Sequence, residues 1–153
     1  MADEVIERIT AVVQRGLDGE RAAACEELET LWVEHTDPLH RCVIAHFLAD
    51  LQDDVHAELL WDERALAAAG EIGDDQVREI APGLQVRGFL PSLYGSVADD
   101  HRRLGDADRA RGYLAEAQAA TDALGDDPYG AHVTQLLDDI GRALAAGSTE
   151  PLA

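Results

Sequence analysis

Apolar positions recur along this chain with the three-to-four residue period of an α-helix, and short glycine- or aspartate-marked breaks interrupt them. Val5, Ile6, Ile9, Val12 and Val13 share one face, which predicts a first helix from just after Asp3 to about Arg15, broken by Gly16 and Gly19. A second, from about Glu20 to His35, carries Ala24, Cys25, Leu28, Leu31 and Trp32. The sequence TDP then sets Asp37 to cap a third helix with Pro38 at its first turn, where a missing N–H costs nothing. That third helix, about Pro38 to Gln52, is apolar nearly all round, as expected for a helix in the middle of a stack. After Asp53–Asp54 a fourth runs from Val55 to Ala69 and buries Ala57, Leu60, Trp61, Ala65 and Ala68.

The period fades over residues 71–89, a glycine-bearing stretch that reads as a long connection with a short helical turn around Gln76 to Ile80. Connections of this length are uncommon in compact domains and often functional, so the segment is expected to be either a lid or a linker. Pro91 opens a fifth helix to Leu104, and a sixth is expected from about Asp106 to Leu124. Asp127–Pro128 repeats the capping device before a seventh helix to about Ala146, and the tail 147–153 is expected to fray. The fold class is therefore all-α.

One helix pair carries an internal pattern. In the sixth helix Ala110, Leu114 and Ala117 follow the turn LGDAD around Gly105; in the fifth, Tyr94 precedes Val97 and Ala98. Small, large, small at this spacing resembles the tetratricopeptide repeat family, with His101 in place of the usual tyrosine and Asp122 in place of the closing proline. Shifting back along the chain puts Ala57 and Trp61 in matching places, with Arg64 breaking the last small position, and then Ala24, Leu28 and Leu31. The resemblance implies a short right-handed solenoid in one domain, 1–146, with units at about 3–35, 37–70 and 90–124 and a closing helix at 128–146. Small residues on one helix admit large ones from its neighbour, and each pair needs another beside it to bury its apolar face.

Composition narrows the function. With 46% hydrophobic but only 5% aromatic residues in 153, the chain is alanine-rich and long enough for a real core. The formal net charge is −19 and every basic residue is arginine, a bias that resembles the coding signature of GC-rich actinobacteria. Such a charge repels phosphate backbones and anionic bilayers, so neither nucleic acid nor membrane is an expected partner. The acidic start MADEVIERI lacks the basic and apolar regions of a signal peptide, which points to a cytoplasmic protein. Cys25 and Cys42 fall on neighbouring helices offset by roughly 7 Å along their axes, too far for a disulfide, and both are expected to be reduced and buried.

Candidate chemistry is sparse. Cys42, His46 and Asp50 form an i, i+4, i+8 stripe of metal-ligating types, but two full turns cannot close around one ion without help from other elements. The six histidines are scattered, and no phosphate loop, nucleophile elbow or dinucleotide fingerprint appears. No catalytic residue, metal or cofactor is therefore expected. Asp99, Arg102 and Arg103 read as intrahelical ion pairs, and the two adjacent arginines as the best local anion contact.

In the tetratricopeptide family, first helices of successive units line a concave groove. The resemblance thus implies a partner surface of Leu39, Cys42, His46, Ala49 and Asp50 from the second unit, and Ser92, Gly95, Asp99, Arg102 and Arg103 from the third. The expected function is a non-catalytic scaffold that binds a protein segment. The competing expectation is a small-molecule binding or sequestering protein of secondary metabolism.

Overall fold

The computed structural model describes residues 4–73 and 89–152. The expected lid or linker at 71–89, with its turn at Gln76 to Ile80, lies almost wholly outside them. The described residues form seven α-helices and no strand: α1 (Glu4–Leu17), α2 (Arg21–Glu34), α3 (Pro38–Asp50), α4 (Val55–Ala69), α5 (Leu90–Arg103), α6 (Ala107–Ala119) and α7 (Pro128–Ala145), with a short 3₁₀ turn at Thr121–Ala123. Contacts gather them into two compact units, α1 to α4 and α5 to α7, a finer division than the single domain drawn from the sequence.

Caps fix most of the boundaries. The carboxylate of Asp37 accepts from the Leu39 amide at 2.9 Å, Asp106 from Arg109 at 3.1 Å and Asp127 from Gly130 at 2.7 Å. Asp54 accepts from the amides of His56 and Ala57. Each such cap stabilises its helix by about 0.5–2 kcal/mol. Two ends differ from the periodicity. Gly16 does not break α1. A Cβ there would lie 3.0 Å from the Ala24 Cβ, so this glycine lets α1 and α2 approach closely inside the helix. The sixth helix stops at Ala119 because the chain tightens: the Ala120 amide bonds Ala117 and the Thr121 hydroxyl donates to the Gln118 carbonyl at 2.7 Å.

In the first unit α3 packs against α1, α2 and α4, which accounts for its nearly continuous apolar surface. Ile9 and Val12 of α1, Leu28 and Leu31 of α2, Ile44, Ala45 and Leu48 of α3 and Ala65 of α4 are fully or almost fully buried. Trp61 is buried, as its place in the repeat pattern implied, and the Trp32 ring meets it edge-on at 5.3 Å.

In the second unit α5 and α6 form a close pair joined at Gly105, whose φ of +84° allows the Asp106 amide to bond back to the His101 carbonyl at 2.8 Å. The core sets small residues, Ala98, Ala110 and Ala117, against Leu114 and the larger Val133, Leu137, Ile140 and Leu144, with Tyr94 packed at its edge. Of the positions in the small–large pattern, Tyr94, Ala98, Ala110, Leu114 and Ala117 belong to this core or pack against it. The tail expected to fray has two fixed points: Leu152 packs against that core, and the Ser148 carbonyl accepts from Arg102 at 2.8 Å. Among the described residues, no helix is long and apolar enough to cross a membrane.

Candidate functional site

The residues expected to line a groove are distributed over α3 in the first unit and α5 in the second. On α3, Leu39, Cys42 and Ala49 are not open walls but buried, at 5%, 6% and 1% exposure. They belong to the packing of a central helix. Cys42 has its thiol pushed up to about 11 by burial. That is the opposite of the lowered value that a reactive or metal-binding thiolate needs. Cys25, expected to be buried, is only partly so, and both cysteines are free thiols.

His46 is half-buried, its ring tilted against Phe47 at 5.5 Å, and its Nδ1 is buried without a hydrogen-bond partner. One turn later Asp50 is exposed at the end of α3. Its carboxyl is nonetheless held above the usual carboxylate range, first by lost solvation against the protein surface, with His46 opposing and Glu58 adding to the rise. The stripe Cys42–His46–Asp50 therefore runs from a protonated core thiol to an open carboxyl. It does not converge on one point.

On α5 the expected contact residues face inward. Gly95 is not a gap for a ligand: a Cβ there would lie 2.8 Å from Leu137 Cδ2, so the glycine admits α7. The half-buried Ser92 is hydrogen-bonded to Tyr129. Arg102 is 2% exposed, and its guanidinium bonds Asp99 at 2.8–2.9 Å and the Ser148 carbonyl. Arg103 reaches Asp99 at 3.0 Å and Asp100 at 2.8 Å. This set is brought together, but as an internal strut tying α5 to the chain after α7. A ring stack of His101 on Tyr113, 5.4 Å apart and within 12° of parallel, backs it.

Sequence reasoning passed over a different cluster, on α2, α3 and α4. The Arg41 guanidinium lies 4.5 Å from the Trp32 ring centroid, and that of Arg64 lies 4.4 Å from Trp61 and 5.7 Å from Trp32. Arg41 is anchored by donating to the carbonyls of His35 at 2.8 Å and Trp32 at 3.2 Å, the open end of α2. Those acceptors are neutral. Every other described arginine has a carboxylate within 4 Å, whereas Arg41 and Arg64 have none among the described residues. One signal for this cluster stands in the sequence: Arg64 occupies the position where the repeat pattern asks for a small residue.

A further open depression of about 860 Å³ runs along the outer face of α2, lined by Ala23, Glu26, Glu27, Thr30, Val33 and Glu34 among others. Val33 is 75% exposed there. No protein-family model, curated protein or solved structure matches the chain.

Proposed function

We propose that the chain is a non-catalytic interaction scaffold of tetratricopeptide-like helix pairs, and that it binds a basic protein segment along the outer face of α2. The observation that supports this most is the form of that face. It is open along the helix rather than closed around a small molecule, and it sets an exposed Val33 among Glu26, Glu29 and Glu34. An extended or helical segment with an apolar anchor and flanking basic residues complements it, in the manner of a helix laid against an exposed apolar stripe. The net charge of −19 favours encounter with a basic protein and opposes nucleic acid and anionic lipid alike.

The test is capture of partners from source-cell lysate, with mass spectrometry of both proteins and small molecules. A basic protein held by the wild-type chain and released by Val33→Asp, whose own melting curve is unchanged, is the expected result. Equal capture by Val33→Asp and by Glu26→Arg sinks the α2 face as the contact. Recovery of a stoichiometric small molecule and no protein sinks the scaffold reading.

A further inference from the structure

We infer that Arg64 and Arg41, stacked on Trp32 and Trp61, form a binding site for a monocarboxylate carried on a flat apolar body. This goes beyond the scaffold reading and does not depend on it.

The argument begins with what stacking leaves undone. An arginine over an indole is held by the ring's quadrupole and by dispersion, which consume no N–H hydrogen bond. The five N–H donors of its guanidinium are left for other acceptors. For Arg64 those donors meet no acceptor among the described residues, although the side chain is half-buried. Arg41 spends two of its nitrogens on the carbonyls that end α2 and has no carboxylate counterion among the described residues. In a chain with 31 acidic and 12 basic residues, two adjacent helices whose arginines have no carboxylate within 4 Å among the described residues are conspicuous. Glutamate and aspartate are abundant enough to pair with both, yet indoles hold them instead.

The chemistry of the ligand follows. A planar fork of donors matches the two oxygens of a carboxylate. Phosphates and polyacids match it too, but the field of a −19 chain works against each additional negative charge, so a single carboxylate is selected. Trp32 is only partly buried, and its remaining indole surface offers a flat apolar partner to a ring or planar chain attached to that carboxylate. Trp61 is buried, meets the Trp32 ring edge-on, and holds the Arg64 guanidinium 4.4 Å from its own centroid.

Both tryptophans of the chain lie in this cluster, so intrinsic tryptophan fluorescence reads this site alone. The full chain is titrated with sodium benzoate at constant ionic strength, with sodium chloride and neutral benzamide as controls. A saturable change with benzoate and none with chloride or benzamide is expected. Arg64→Gln should weaken it at least tenfold, Arg64→Lys partially, and the exposed Arg142→Gln not at all. A parallel titration with acetyl-Gly-Gly-Phe, bearing a free C-terminus, and with its amide separates a free organic acid from the end of a protein chain. Either carboxylate binding through Arg64 upholds the site. No saturable response to either, equal responses to benzoate and benzamide, or full retention in a folded Arg64→Gln overturns it. Should Arg64→Gln fail to fold, the wild-type comparison of benzoate with benzamide and the Arg64→Lys titration decide.

Discussion

The two units keep arginine inside helical packing by different means. In α5 to α7, Arg102 is almost completely withdrawn from water: Nε bonds Asp99, Nη1 bonds a backbone carbonyl, and Nη2, without a hydrogen bond of its own, lies in ion-pair range of Asp99, while Arg103 is shared between Asp99 and Asp100. In α2 to α4, Arg41 and Arg64 lie over indoles, and among the described residues no carboxylate comes within 4 Å of either. A carboxylate fork satisfies both the charge and the N–H groups. An indole face eases the charge and leaves the donors over. The first arrangement is closed and structural; the second retains the capacity to bind. The adjacent pair Arg102–Arg103 is of the closed kind here, and Arg41 and Arg64 are of the open kind.

The largest expected effect lies at the centre of the open arrangement. Trp61→Ala removes a buried indole and the surface on which Arg64 lies, and should destabilise the first unit by about 3–5 kcal/mol. Urea denaturation followed by far-UV circular dichroism measures it, and a wild-type midpoint would show that Trp61 packs loosely. Arg102→Ala tests the closed arrangement. It leaves Asp99 short of a partner and frees the Ser148 carbonyl, for a loss of about 3–5 kcal/mol at most. The exposed Arg142→Ala, by contrast, should fall within the range of about 0–1 kcal/mol for surface pairs. If Arg102→Ala melts like wild type and alters partner capture, the residue belongs to a surface after all.

Next in size comes Gly95→Ala. Its Cβ would press on Leu137, and overpacking of this kind costs about 1–3 kcal/mol. A stabilised variant would mean that α7 stands off from α5. Thiol chemistry follows. Because Cys42 titrates at about 11 in the fold against an ordinary 9.0, the folded state holds a proton that the unfolded state releases between those values. Its contribution to stability is whole below pH 9.0 and is lost as the pH rises toward 11. In native protein iodoacetamide should modify Cys25 first and reach Cys42 only on unfolding, as peptide mapping can verify. The smallest effect is that of Asp139 on α7. Hydrogen bonds from Gln135 and Arg142 hold its carboxyl below the usual range. Its contribution is present above the ordinary carboxylate pKa and is lost as pH falls through the lowered one, the reverse of Cys42. Asp139→Asn should therefore slightly flatten the loss of stability in acid, and more so at low salt.

Helix positions were readable because capping chemistry is local. Asp37, Asp54, Asp106 and Asp127 each bond an amide two or three residues ahead, and these contacts exist whatever the rest of the chain does. The candidate site was not readable in the same way. Counting along α3 places Cys42, His46 and Asp50 on one stripe, and its all-round apolar surface places the helix mid-stack, but neither says which of the three residues α1, α2 and α4 cover. In the sequence Gly16 reads as a helix breaker and Gly95 as part of a partner groove. Only the side chains opposite, Leu137 and Ala24, make them points of close helix packing.

By itself, then, the order of residues determined the all-helical class, the caps, the α5–α6 pair with its small and large positions, and a net charge of −19. Those properties depend on neighbours within a few turns of one helix or on a sum over the chain. Tertiary structure alone decided which polar groups are spent and which are left over. Arg102 lost its donors to a carbonyl 46 residues away, and Arg64 kept its own because two indoles from different helices converge on it. Hydrogen bonds and ring contacts act over a few ångströms in space, and only the folded chain brings such distant residues that close.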